Sequence, residues 1–128
     1  FYGNRWFQTY LGQQSVDNLK LQSWSYEQAL QQAKAKDRLI VAEFSAVWCG
    51  ACRKFHNEVL GDSQVQSLLD ESFVFTRLEY ESDDKAYFAQ YGVTGFPTIL
   101  LLDANGKALQ RLPLTYEADQ FASVLQVP

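Results

Sequence analysis

"FSAVWCGACRKFH", residues 44–56, holds both cysteines of the chain, with Trp48 before Cys49 and Arg53 and Lys54 after Cys52. The residues leading into it, "RLIVAEFS" (38–45), form a nearly unbroken apolar run, as expected of a strand buried on both faces. Residues 50–60 then carry a helical pattern ending at Leu60-Gly61. A strand, a short turn and a helix opening at or near Cys49 put that thiol at a helix N-terminus. Unsatisfied N–H groups and the positive end of the helix dipole favour thiolate there, and the thiolate is the nucleophile of disulfide exchange. Cys52 lies one turn further in, placed to attack a mixed disulfide formed at Cys49.

Three readings compete for the pair. A structural zinc site needs four ligands, and the chain has two Cys and a single His. His56, four residues after Cys52, would need a carboxylate and a water to complete such a site. A purely structural disulfide closing so short a loop removes little chain entropy. The redox dithiol is the reading that the strand–turn–helix context supports, with no third thiol to divert the exchange. Arg53 and Lys54 add positive charge one turn away, or simply point to solvent.

Outward from the motif, strands and helices alternate. "NLKLQSW" (18–24) alternates apolar and polar and predicts a short strand. Ser25 and Gln28 form a capping-box pattern before the helix formers of "SYEQALQQAKAK". A second helix after the motif is expected over Ser63–Asp70, and "FVFTRLE" (73–79) is the next strand. "DDKAYFAQYGV" (83–93) predicts a short helix stopped by Gly92. "PTILLLD" (97–103) is another buried strand, turned by "ANG" into "KALQRLP" as a hairpin. Thr115 is the expected cap of a last helix, "YEADQFASVLQ". This order predicts an α/β fold: a central mixed sheet, mostly parallel with an antiparallel edge hairpin, flanked by helices on both faces.

With 128 residues, 47% of them hydrophobic, the chain suits one domain with a core that needs no disulfide staples. Its net charge of −4 argues against nucleic acid or an anionic membrane surface as main partner. No stretch approaches the ~20 apolar residues of a spanning helix. A chain opening on Phe1 and lacking Met is expected to be a processed or excised piece of a longer product. Residues 1–18 read as an N-terminal extension and linker, and 19–128 as the domain. The aromatic-rich "FYGNRWFQTYL" suits either a segment emerging from a membrane interface or a terminus that is floppy or packed on the domain.

"WCGAC" after a buried strand, joined to "YGVTGFPTILLLD" (91–103), resembles the thioredoxin superfamily over about Leu19 to Leu125. Within it, "SYEQALQQAKAKDR", "DSQVQSLL", "PTILLLDANGK" and a late "F..VL" are most similar to the C-terminal periplasmic domain of the DsbD-type thiol:disulfide interchange reductases. The resemblance implies a cis bond before Pro97, turning the Phe96 backbone towards a substrate cysteine for strand-like pairing with an extended peptide. It also implies that Glu43, six residues before Cys49, is the buried carboxylate that moves the proton of Cys52. That position usually carries Asp, and Glu adds a methylene. The other reading of Glu43 is a solvated residue at a sheet edge.

Trp48 shields the thiolate and offers a docking surface, or packs plainly, and Phe96 has the same two readings. His56 either bonds to Glu43 and tunes the thiols or is a half-exposed helical residue. Arg77 either pairs with Glu43 or points outward. Tyr80, Tyr87 and Tyr91 read as core or surface filler.

The expected activity is thiol:disulfide exchange, with Cys49 attacking, Cys52 resolving and Glu43 assisting, while Trp48, Phe96 and Pro97 bind substrate. Expected partners are protein thiols and disulfides and a membrane-embedded electron donor. No cofactor, metal or nucleic acid is expected, and the domain is expected to act as a monomeric reductant in the periplasm. The uncharged Gly50-Ala51 pair speaks against a strong oxidant. Alternatives are a stand-alone thioredoxin-like reductase or isomerase and, in a different class, a non-catalytic binding module or zinc-holding adaptor.

Overall fold

The structure, a computed structural model, describes residues 6–11, 13 and 21–126. Residues 6–11 are helical. The expected boundary between residues 18 and 19 lies outside the described residues. Helix α1 (Tyr26–Lys36) starts with the capping box foreseen at Ser25 and Gln28 and ends on Asp37 in the left-handed region. It buries Tyr26, Ala29 and Ala33, spaced to share one face.

Strand β1 (Leu39–Ser45) leads into helix α2 (Gly50–Phe55), which continues as one wide π turn over His56–Leu60. Helix α3 (Ser63–Ser72), capped by the Asp62 side chain, delivers β2 (Phe73–Glu79). Then come α4 (Lys85–Gln90), β3 (Thr98–Leu102), β4 (Ala108–Leu112) and α5 (Ala118–Gln126).

The four strands lie in the order β2-β1-β3-β4. β1 and β2 are parallel, from Leu39 opposite Phe73 to Ser45 opposite Glu79. β3 runs antiparallel to β1, with Thr98 opposite Phe44, and β4 antiparallel to β3. The sheet is mixed as expected, with a smaller parallel share: one pair of three. A parallel return after β2 must retrace a strand about 23 Å long. Helix α4, six residues or about 9 Å, does not run that far. β3 therefore re-enters at the end where β1 and β2 finish.

Strand alternation divides the core between the two faces. Val41, Phe75, Ile99 and Leu112 pack with Phe55, Leu69 and Phe121 of α2, α3 and α5. Ile40, Ala42, Phe44, Val74 and Leu100 pack on the other side with α1 and with Phe88 of α4. Helices thus cover both faces, as expected.

Three element expectations need correction. Of the strand expected at 18–24, residues 18–20 lie outside the described set and 21–24 join no ladder. One backbone bond, Trp24 N–H to Phe75 O at 3.1 Å, and the Thr76 hydroxyl donating to Trp24 O hold that segment beside β2. Thr115 is not the cap of α5, which begins three residues later. Its hydroxyl instead accepts from Glu117 N–H in a local turn. The helix expected at 83–93 is only six residues long, with Gly92 at φ 67 just beyond it.

Candidate active site

β1 carries Glu43 on the same face as Val41, the face covered by α2, α3 and α5. The chain leaves β1 at Ser45 and makes a tight turn closed by Cys49 N–H donating to Ala46 O at 3.0 Å. Val47 N–H in that turn donates to Glu79 Oε2, from the end of the neighbouring strand. Cys49 is the N-cap of α2, and its sulfur accepts the Cys52 N–H at 3.2 Å. The sulfur thus takes the place of a capping oxygen and satisfies a donor that the helix leaves open.

Both thiols are free. Cys49 is pulled down from its ordinary value of 9.0 to about 6, first by the Cys52 thiol and then by the N–H groups of Cys52 and Ala51, against burial and the Glu43 charge. Cys52 moves the opposite way, because its thiol serves the Cys49 sulfur and is buried. The two thiols are thus pushed in opposite directions, Cys49 towards the thiolate and Cys52 towards the thiol.

Although it opens the helix, Cys49 is only 8% exposed. The rings of Trp48, Tyr80 and Phe96 pack against Ala46, Cys49 and Cys52 and cover the sulfur. Trp48 and Phe96 meet edge to face at 5.9 Å, and Tyr80 lies 5.2 Å from Phe96. The Trp48 indole N–H donates to Glu81 Oε1 at 3.0 Å, fixing the ring over the site. The Phe96–Pro97 bond is cis, as the resemblance implied, and Pro97 is buried at the head of β3.

Glu43 is fully buried, which removes the solvated-edge reading. His56 is buried too, and the half-exposed reading fails because the i,i+4 spacing from Cys52 points both inward. The His56 Nε2 lies 2.6 Å from Glu43 Oε2 and 2.9 Å from Oε1. Arg77 faces Glu43 across the parallel β1–β2 pair, with its Nε 4.0 Å from Glu43 Oε1. Its Nη2 is bonded to Glu79 Oε1 at 2.8 Å, while the buried Nε makes no hydrogen bond. Arg77 lies beside Glu43 and bonds to Glu79, and the outward-pointing reading fails because its side chain is only 8% exposed.

Four residues beside the site escaped the sequence reading. Tyr80 had been taken as filler, and Glu79 and Glu81 anchor the motif turn and Trp48. The Ser45–Glu79 register, which the sequence does not give, sets "EYES" (79–82) next to the turn. The fourth is Tyr116, pushed up by burial and then by the charge of Cys49, with Lys54 Nζ 4.5 Å from its ring. Gln8, in the helical 6–11 segment, accepts a hydrogen bond from Arg53. Among the described residues no three His, Cys, Asp or Glu side chains gather as ligands around a common point.

A four-stranded mixed sheet, with a C-x-x-C pair opening the helix after its central strand and a cis proline opening the next, defines a thioredoxin fold carrying a C-x-x-C dithiol. The chain belongs to the thioredoxin-like domain family, whose sequence model matches residues 26–127. It is 33% identical to a protein disulfide-isomerase of Ricinus communis over 93 residues, 72% of this chain and 19% of that protein. It is 30% identical to the thiol:disulfide interchange protein DsbD of Photorhabdus laumondii over 109 residues, 81% of this chain and 19% of that protein. A solution structure of a thioredoxin from Thermus thermophilus superposes with a TM-score of 0.73 at 25% identity, covering 83% of this chain and 85% of that one. The chain spans about a fifth of the length of the curated relatives it matches.

Proposed function

We propose that this chain is a thiol:disulfide oxidoreductase domain that reduces protein disulfides with its own Cys49–Cys52 pair, without a cofactor. The observation that carries the reading is the geometry of the pair: the Cys49 sulfur caps a helix N-terminus and accepts the Cys52 N–H, while Cys52 is fully buried behind it. The Cys49 thiolate attacks a substrate disulfide, and one substrate thiolate leaves. Cys52 gives its proton to the Glu43 side and attacks the Cys49 sulfur. The Cys49–Cys52 bond forms, the second substrate thiolate leaves, and two electrons have passed to the substrate. Trp48, Phe96 and Pro97 form the substrate surface, on which an extended peptide pairs with the backbone at Phe96.

The likeness to DsbD supports a finer reading, a monomeric periplasmic reductant fed by a membrane-embedded partner domain. Its partners are then protein thiols and disulfides, with no nucleic acid. Replacement of Cys52 tests the chemistry. Cys52→Ser is expected to accumulate mixed disulfides through Cys49 that a thiol reductant releases, while a binding module keeps its partners and traps none. Direction is tested by equilibrating the wild-type pair with glutathione. A lowered Cys49 pKa stabilises the reduced form and raises the potential, so the measured potential is decisive. A reductant stays well below the approximately −120 mV of a strong periplasmic oxidant, and a value that high ends the reductase assignment.

A further inference from the structure

Beneath the dithiol lie more charged groups than the exchange reaction needs. Glu43 and His56 form a pair with contacts of 2.6 and 2.9 Å, both essentially without solvent. Arg77 stands 4.0 Å from the same carboxylate but is held by Glu79. With Arg77 and Glu79 cancelling, a neutral His56 leaves one uncompensated negative charge on buried Glu43. An uncompensated buried charge is costly, and taking up one proton removes it. If the proton settles on the imidazole, Glu43 stays ionised opposite Arg77 and every charge in the pocket has a partner.

We propose that His56 is a proton-holding positioning residue that acts through Glu43 and sets the pH dependence of the resolving step. It rests on the oxidoreductase reading above and deepens it. On resolution the Cys52 S–H bond breaks and its proton passes to the Glu43–His56 pair. The Cys52 sulfur uses the freed electron pair to bond Cys49, the bond from Cys49 to the substrate sulfur breaks, and the substrate thiolate leaves with that pair. The imidazole holds the proton next to a carboxylate that remains charged, then releases it to solvent. Imidazole suits this task because it gains and loses protons near neutrality.

The pocket also supplies a timing device. Negative charge on Cys49 and on Glu43 oppose each other, so a thiolate at Cys49 favours a proton on the pair. Attack on a substrate disulfide consumes that charge, the pair gives its own proton up to solvent, and it can then accept the proton of Cys52. Charged and titratable groups reach the surroundings of His56 from several elements. Glu43 comes from β1, Arg77 with Glu79 behind it from β2, and the two thiols from α2. Arg53 of α2 is engaged by Gln8, and Tyr116 comes from the loop before α5. Helices α3 and α5 meet the same turn with apolar side chains, among them Leu69 and Phe121.

The two steps separate kinetically with dithiobis(nitrobenzoate), which releases one coloured thiolate when Cys49 attacks and a second when Cys52 closes the disulfide. In the wild type the second phase is expected to accelerate with rising pH. Its midpoint should coincide with the titration of the imidazole, followed by nuclear magnetic resonance in protein alkylated at Cys49. His56 is the one histidine of the chain, so the signal needs no assignment by mutation. In His56→Gln, which keeps a donor towards Glu43 but cannot hold a proton, the second phase is expected to slow on the order of tenfold or more, losing that midpoint. The first phase serves as internal reference.

A His56→Gln second phase with unchanged rate and midpoint overturns the proposal. So does an imidazole whose titration departs from the wild-type kinetic midpoint, a comparison that stands even if the variant does not fold. A wild-type protein with no second phase at all instead refutes the oxidoreductase reading itself.

Discussion

The sulfur of Cys49 occupies the position where a helix cap usually places an oxygen, and most of its chemistry follows from that substitution. A capping oxygen only accepts a hydrogen bond, whereas a sulfur in the same N–H cradle is driven to ionise. With the thiol near 6 in the folded protein against its ordinary 9.0, the folded state binds fewer protons than the unfolded state between those values. The thiolate's contribution to the reduced fold is therefore complete above pH 9 and lost as pH falls through about 6. Alkylation of Cys49 by iodoacetamide is expected to rise with pH through a midpoint near 6. The reduced protein should gain resistance to denaturant relative to Cys49→Ala over the same window. A reactivity midpoint near 9 would show that the cap does not activate the sulfur.

At the level of elements, the π turn at His56–Leu60 does work that a straight α-helix would not. Such turns recur at functional sites because they shift the phase of a helix by one residue. Here the shift occurs where His56 enters the core, with Val59 and Leu60 buried immediately after it. The turn closes at Gly61, where an added Cβ would lie 2.8 Å from the Asn57 carbonyl oxygen and 3.3 Å from that of His56. Both neighbours are backbone and cannot swing aside. Gly61→Ala is expected to destabilise the reduced protein by about 1–3 kcal/mol, read from the denaturation midpoint. A neutral substitution would mean that the turn relaxes freely and does not fix His56.

Over the whole molecule, the site collects residues that the chain keeps far apart. Glu43 from β1, His56 from the π turn and Arg77 from β2 converge because strand alternation puts 41, 43, 75 and 77 on the face that α2 covers. The aromatic cover of Cys49 is assembled from the motif turn, the end of β2 and the loop before β3. β3 begins beside the motif because short α4 returns the chain to the sheet end it had just left, so Phe96 and Pro97 arrive beside the end of β1.

The sequence by itself determined what is local. The apolar run at 38–45, the C-x-x-C spacing and the helical pattern behind it specify a strand, a turn and a capped thiol, since each depends on neighbours within a few residues. Glu43 was legible as a residue of interest because a charge inside such a run is costly. Tertiary structure alone decided the surroundings. Whether Glu43 faces solvent or His56, whether Cys49 is open or covered, and whether Arg77 pairs with Glu43 or Glu79 depend on which strands adjoin. The fate of 21–24 turns on the same kind of contact, for alternation supplies a strand pattern but not a ladder to join. Periodicity sets the side of a strand on which a residue falls, and only the packed sheet and helices set what it meets there.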